Sequence, residues 1–443
     1  MQGSTYSYHL RPENIDYRAL THIIHFSLIP RADGSLDDIT NGVSAENAAS
    51  ITGAAHAEGR KVLISVGGWE SERLFDSATS DAHLASFVRN LLDLVTERNY
   101  DGIDIDWEPI SPQDVGQMSA LVTRLDSLMR EMNPNLLLTA TAGWQPSMFA
   151  RLQHSFDQIN LLSYDFSGPW PGWISWHNSP LYDAGFLFPD TDRVVPSIDS
   201  MLAEYVSAGL EKSKLGIGID FYGYIWRGGT GTTTGGVTAP RQSWVDPPVV
   251  SSIPYYSIMH DYYQPEYYRW DTSAAAAYLS LDDTGSIHDA FISYDDERAC
   301  AEKIGFAIRN GLGGAIVWEL GGGWRPDVPT HDTLLRSIGK AAFGTTAVRA
   351  SSDPNPITFW IEQNFPNPFN PSTTVRLTVP AQARVTIKLF DVLGAEVATL
   401  VDDDVSSGTH SLSLLGYNLS SGMYFLRFQA PGMIATRKCV VVR

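Results

Sequence analysis

Two cysteines in 443 residues, Cys300 and Cys439, are too few and too far apart for a disulfide framework, and neither has the spacing of a metal site. Basic residues are also scarce: 31 Lys and Arg stand against 50 Asp and Glu, for a formal charge of −19. Such an acidic surface repels nucleic acid and anionic membranes and favours a neutral or cationic partner. No apolar run reaches the ~18 residues that a membrane-spanning helix requires, so a soluble chain is expected. The opening Met1-Gln2-Gly3-Ser4 has no basic stretch followed by an apolar one, so it does not read as a signal peptide. No Gly-x-Gly-x-x-Gly turn follows the first candidate strand, which disfavours an open dinucleotide-binding sheet. Neither a cofactor nor a metal is expected.

What is present is alternation. Short apolar, β-branched runs recur at 22–29, 61–66, 102–107, 136–142, 158–163, 215–219 and 315–318, with amphipathic segments such as 81–97 and 116–132 between them. Strands alternating with helices over ~300 residues predict an α/β fold with a parallel sheet, and the count fits a (β/α)8 TIM barrel over residues 1–343. The stretch between the strands near Gly218 and Ile316 is longer than a helix and two loops require. It holds the Gly-rich run 228–236 and the Tyr- and Trp-rich run 255–294, which predict a small α+β lobe at about 226–296, inserted before the last strand. Residues 344–356 are small and polar, as in a linker. Alternating runs at 374–379, 385–390, 410–414, 423–429 and 436–442 then predict an immunoglobulin-like β-sandwich over 357–443. Acids and bases balance at seven each from Ser351 onward, so the residues before it carry the whole negative charge.

The densest chemistry lies in Asp101-Gly102-Ile103-Asp104-Ile105-Asp106-Trp107-Glu108. On a strand, side chains alternate, so Asp104, Asp106 and Glu108 share one face while Ile103, Ile105 and Trp107 share the other. Two ionised carboxylates ~4 Å apart repel by ~4 kcal/mol at an effective dielectric of ~20, or roughly three pKa units. At least one acid is therefore expected to hold a proton near neutral pH, as a general acid requires. Barrel chemistry sits at the carboxyl ends of the strands, which makes Glu108, followed by Pro109, the best-placed acid. Three acids on one strand approach a glycosidic bond from one side only and do not of themselves supply a carboxyl on the opposite side, which leaves open a nucleophile from elsewhere, the substrate included.

These residues resemble the signature Asp-x-x-Asp-x-Asp-x-Glu of glycoside hydrolase family 18, the retaining chitinases and their relatives. Ser65-Val66-Gly67-Gly68-Trp69 is similar to the family's Ser-x-Gly-Gly, Leu162-Ser163-Tyr164-Asp165 to its Met-x-Tyr-Asp, and Gly314-Ala315-Ile316-Val317-Trp318-Glu319 to its last strand. The resemblance implies that Glu108 protonates the glycosidic oxygen and later acts as base toward water. It further implies that the substrate's 2-acetamido oxygen is the nucleophile, that Asp106 holds the acetamido N–H, and that Asp104 shares the proton. By the same resemblance Tyr164 bonds the acetamido carbonyl, Asp165 positions the sugar and Trp318 forms the cleft floor. Phe291-Ile292-Ser293-Tyr294-Asp295-Asp296 resembles the stretch that closes the family's inserted lobe. Tyr222-Gly223-Tyr224 stands where many relatives have Tyr-Gly-Arg, so a sugar-contacting arginine is missing.

Eleven of the twelve tryptophans precede Gly344, as suits a groove for sugar rings. Trp69, Trp170, Trp318 and Tyr222 are expected to contact substrate, and Trp107 to be core. Asp101 is out of phase with the other acids and reads as support, as do Ser65, Gly67 and Gly68, which make room for the acids. His22 and His25 read as satisfied core residues, Glu319 as a strand-end acid, and Asp402-Asp403-Asp404 as a solvated turn.

Gln363-Asn364-Phe365-Pro366-Asn367-Pro368-Phe369-Asn370-Pro371, together with Gly422-Met423-Tyr424 and a basic C-terminal end, resembles a type IX secretion sorting domain. The two resemblances imply a secreted or cell-surface chitinase that acts on chitin and chito-oligosaccharides and is exported through secretion machinery. The rival readings are an endo-β-N-acetylglucosaminidase acting on glycoprotein glycans and a chitin-binding lectin on the same barrel.

Overall fold

The computed structural model describes residues 10–189, 191–283, 288–343, 360–361, 364, 367, 369, 372–379, 382–392, 394–406, 408–415, 419–431 and 433–442. The readings for Met1 to Ser4, for the linker 344–356 and for most of 363–371 lie outside these residues. The chain divides into two compact units, 1–345 and 346–443.

In the first unit, strands and helices alternate from the start. β1 (His22–Pro30) pairs with a two-residue antiparallel strand, β2 (Leu36–Asp37), and α1 (Ala45–Ala57) leads to β3 (Lys61–Gly68). There follow α2 (Glu72–Ala78), α3 (Leu84–Glu97), β4 (Gly102–Trp107), α4 (Val115–Met132), β5 (Leu137–Ala142), α5 (Pro146–Leu152), β6 (Gln158–Leu161), α6 (Ile198–Ser207) and β7 (Leu215–Asp220). The helices form where apolar residues recur at helical spacing: Phe87, Val88, Leu91, Leu94 and Val95 make the buried face of α3, and Met118, Leu121, Val122, Leu125 and Met129 that of α4. Ser197 and Ser200 cap the start of α6 reciprocally.

The lobe begins directly after β7, earlier than its sequence bound of 226. β8 (Tyr222–Arg227), β9 (Val249–Pro254), the short α7 (Tyr255–Ser257), β10 (Tyr268–Asp271), β11 (Ala276–Leu281) and β12 (Ala290–Tyr294) make an antiparallel sheet in the order β10-β11-β12-β8-β9. Its aromatics are only partly buried: Trp226, Tyr255 and Phe291 are fully enclosed, whereas Tyr262, Tyr267, Tyr268 and Trp270 are half-buried and Tyr263 is exposed. α8 (Glu297–Asn310) then returns to the barrel, and β13 (Gly314–Trp318), α9 (Leu320–Gly323) and α10 (Thr333–Phe343) complete the unit.

The barrel sheet runs β13-β7-β6-β5-β4-β3-β1-β2, with seven strands parallel and β2 antiparallel. Isoleucines and valines on the outward faces of the strands, such as Ile64, Val66, Ile103, Ile105, Ile159 and Ile217, pack under the helices as one large core. β1 and β13 approach each other through Phe26 and Trp318, whose ring centroids are 4.6 Å apart, but no ladder joins them among the described residues. A cavity of about 1030 Å³ follows this seam, from Glu108, Trp69 and Trp318 at the carboxyl ends of the strands to Thr21, Leu137 and Gly314 at the opposite ends.

In the second unit, β14 (Trp360–Ile361), β15 (Ser372–Val379) and β18 (Gly408–Leu415) form one antiparallel sheet. β16 (Ala383–Asp391), β17 (Glu396–Val405), β19 (Gly422–Ala430) and β20 (Met433–Val441) form the other, in the order β17-β16-β19-β20. Val375, Leu377, Val385, Ile387, Leu426, Phe428 and Cys439 share the core between them. The reading of Asp402-Asp403-Asp404 as a turn is corrected: the three lie within β17, an edge strand. Arg384 and Thr386 on the adjacent β16 meet Asp402 at 3.2 Å, which offsets the acidic row.

Candidate active site

β4 delivers the acids. Gly102 opens it because a Cβ there would lie 2.1 Å from the Leu137 carbonyl of β5, so only glycine lets the two strands approach. Ile103 and Ile105 are fully buried on the outward face, and Trp107 stacks on Phe75 with centroids 4.5 Å apart. Asp104, Asp106 and Glu108 line the cavity. In register with Asp104 stand Ser65 on β3 and Thr139 on β5. Ser65 Oγ donates to Asp104 Oδ2 at 3.3 Å, Thr139 Oγ1 donates to Oδ1 at 2.5 Å, and Thr141, two residues on, donates to Asp106. Sequence reasoning missed both threonines. Their signal was the pair of hydroxyls at alternate positions in an otherwise apolar strand, Leu138-Thr139-Ala140-Thr141-Ala142.

The glycines before Trp69 bring β3 against this group. Gly67 sits at φ +110°, and a Cβ would lie 2.2 Å from the Asp106 carbonyl; at Gly68 a Cβ would press on the Phe26 ring at 2.8 Å. Asp101 points elsewhere: its Oδ2 accepts from the Val62 N–H and from His56 Nε2, both at 2.7 Å, which ties β3 to β4.

Burial dominates the electrostatics. Asp104, 1% exposed, is pushed from the ordinary 3.8 up to about 7, first by burial and then by the charge of Asp106, against the pull of Thr139 and Ser65. Asp106 stands well above its usual range, again through burial first and the charge of Glu108 second. Burial also raises Glu108; its hydrogen bond with Asp106 opposes this, and the charges of Asp165 and Asp104 reinforce it. A carboxyl–carboxyl hydrogen bond needs a proton between the two groups, so Asp106 and Glu108 share one. The carboxyls are raised as their mutual repulsion predicts, but loss of water contributes more than repulsion.

β6 and the segment after it supply Tyr164 and Asp165. Burial, with Asp106 and Glu108 nearby, holds the Tyr164 phenol far above its ordinary range, so it remains an O–H donor. Gly218 on β7 makes room for it, since a Cβ there would lie 2.7 Å from the tyrosine ring. Asp165 has a left-handed backbone, φ +60°. Tyr222 donates to its Oδ1 at 2.6 Å, and the Tyr224 phenol, like that of Tyr222, draws the same carboxyl down against the rise from burial. A second phenol thus stands at Asp165 where an arginine was expected.

Among the aromatics, Trp318, Tyr222 and Trp69 line the cavity, Trp69 with 67% of its surface exposed. Trp170, also exposed, packs edge-on against Trp173 with centroids 4.5 Å apart and is not among the cavity-lining residues. Glu319 lines the cavity, and burial raises its carboxyl. His25 is buried and bonded to the Tyr100 hydroxyl at 2.8 Å, whereas His22 is exposed rather than core and bonds Thr21. Among the described residues no group of three or more His, Cys, Asp or Glu is arranged to hold a metal.

Fold and site together define a βα barrel with an acid-bearing cleft at the carboxyl ends of its strands. The family described as Glycosyl hydrolases family 18 matches residues 4–323, and the chain belongs to it. The Secretion system C-terminal sorting domain family matches residues 363–442. Chitinase A1 of Niallia circulans is 30% identical over 399 residues, covering 75% of this chain and 54% of the relative. The solved Group IV chitinase of Ostrinia furnacalis in complex with allosamidin gives a TM-score of 0.62 at 21% identity, covering 75% of this chain and 93% of that one. A family 18 N-acetylglucosaminidase of Paenibacillus barengoltzii gives 0.61 at 24%, covering 75% and 95%. The chain spans about half the length of the curated relatives it matches. No helix among the described residues is long and apolar enough to cross a membrane.

Proposed function

We propose that this chain is a secreted chitinase that hydrolyses β-1,4 linkages between N-acetylglucosamine units with retention. The observation that carries this reading is the stack Asp104, Asp106 and Glu108, raised in pKa and facing the cleft from one side, with the Tyr164 hydroxyl close to it. Family membership supports it, as do relatives named chitinase. In this reading Glu108 gives its proton to the glycosidic oxygen as the C1–O bond breaks. The substrate's acetamido oxygen bonds C1 and forms an oxazolinium. As the shared proton moves to Glu108, the Asp106 carboxylate accepts the acetamido N–H and balances the developing charge, with the protonated Asp104 beside it. Tyr164 donates to the acetamido carbonyl, a contact that gains strength as charge develops. Glu108 then removes a proton from the water that opens the intermediate, so both substitutions occur at C1 and configuration is retained.

Asp165 positions the sugar, held by Tyr222 and Tyr224, while Trp318 forms the floor and Trp69 and Trp170 extend the stacking surface. Ser65, Gly67, Gly68 and Asp101 support the acids. The C-terminal unit serves export through the secretion machinery. In Glu108→Gln the shape is kept and the transferable proton is lost, so kcat on chito-oligosaccharides should fall by ~10²–10⁴ with the fold retained and no loss of stability at neutral pH. Wild-type turnover in that variant would overturn the assignment. Parallel assays on chitin and on a high-mannose glycoprotein separate this activity from that of an endo-acting glycan hydrolase, and a lectin would release nothing from either.

A further inference from the structure

A second group of buried charges lies behind the cleft, where the lobe rejoins the barrel. Lys303 of α8 is completely buried. Its Nζ donates to Asp295, to Ser179 Oγ at 2.6 Å and, more loosely, to Asp220 Oδ1 at 3.4 Å. The other oxygen of Asp220 accepts from Asn178 Nδ2 at 2.7 Å. Ser179 carries the chain of contacts onward, because its Oγ donates to the Ser163 carbonyl at 2.7 Å. Ser163 Oγ in turn donates to the Gly218 carbonyl at 3.0 Å and accepts from the Gly218 N–H at 2.8 Å. The residues that follow Ser163 are Tyr164 and Asp165.

The segment that carries Asn178 and Ser179 is anchored from the lobe as well. His177 bridges Ser293 Oγ at 3.2 Å and Asp271 Oδ2 at 3.0 Å, and the Asn178 N–H donates to Ser293 Oγ at 3.0 Å. This has the residue types of a nucleophilic triad, but all three members are buried and Arg241 already occupies Asp271, so it works as an anchor.

Burying one ammonium between two carboxylates is poor value for stability alone, since apolar groups of similar volume often serve as well or better. The group does something an apolar cluster cannot do. A serine hydroxyl has one hydrogen and two lone pairs. With Nζ donating to Ser179 and to both carboxylates, the Ser179 hydrogen stays on the Ser163 carbonyl. Without the ammonium, the Ser179 hydroxyl loses the donor that keeps its hydrogen on the Ser163 carbonyl and is free to turn toward the carboxyls that Lys303 now holds. The backbone just beyond is the left-handed Asp165, a conformation that persists only where its surroundings hold it.

We propose that Lys303 is a positioning residue for Tyr164 and Asp165, acting through Ser179 and the Ser163 carbonyl to tie the catalytic segment to the root of the lobe. The inference rests on the roles given above to Tyr164 and Asp165. Ser179→Ala keeps every charge and removes the bridge, together with one acceptor of the Lys303 ammonium. It should lower kcat on chitohexaose about tenfold, leave KM within threefold, and speed amide exchange across residues 163–166 about tenfold, with a smaller fall in melting temperature than Lys303→Met. Lys303→Met should show the same kcat loss with reduced stability. Adding Asp295→Asn to it should restore the melting temperature but not kcat, whereas a purely structural lysine would recover both together. Wild-type kcat and wild-type exchange in Ser179→Ala, or recovery of kcat in the double variant, would overturn the proposal. A wild-type chain without turnover faults the functional reading instead, and the exchange measurement, which needs no turnover, still decides the positioning.

Discussion

Asp104 is where a single residue sets a pH dependence. Its folded pKa of about 7 lies above the ordinary 3.8, so the folded state keeps a proton that the unfolded chain loses. Stability from this group is therefore complete below about pH 4 and declines as pH rises to about 7. Asp104→Asn removes the decline. The variant should match wild type near pH 4 and gain up to about 4 kcal/mol by neutral pH, at the expense of activity. Thermal unfolding across that range checks this, and a variant less stable than wild type at pH 7 would contradict it. The three acids were legible in the sequence because strand alternation alone puts them on one face. Their partners were not, because which serine or threonine faces Asp104 depends on the register of three strands.

At the scale of elements, the end of β3 sets the distance between the backbone and the acids. Gly67→Ala adds a methyl 2.2 Å from the Asp106 carbonyl at a backbone angle that L-residues avoid. Strain and overpacking together should cost about 2–4 kcal/mol and displace Asp106, so both the melting temperature and kcat should drop. A variant with normal kcat would show that Asp106 tolerates the shift. The motif strands could be read from their residues, but the network behind them could not. Lys303 stands at helical spacing from Ala299, Cys300, Phe306 and Ala307 on the buried face of α8, so its burial had a signal, but the carboxylates from β7 and the lobe that meet it depend on tertiary packing. Asp402 to Asp404 misled in the opposite sense: three acids in a row read as a turn until the cross-strand Arg384 and Thr386 appear.

The whole molecule divides into a barrel unit that carries the acidic charge and a sandwich unit whose acids and bases nearly balance, each with its own core. A chain ended after Thr345 should keep its turnover, and calorimetry of the full chain should resolve two transitions; loss of turnover on truncation would show that the barrel depends on the second unit. The barrel was legible because amphipathic helices and β-branched strands alternate with little ambiguity. The lobe's start was not, because β7 runs into β8 with one residue between them and no break in apolar character.

The central claim, substrate-assisted retention at Glu108, is tested most directly by the anomers released from chitohexaose in the first moments of reaction. The β-anomer should appear first at the new reducing end and decay to the equilibrium mixture. An initial burst of the α-anomer would mean that water attacks C1 directly, and the acetamide would then not be the nucleophile.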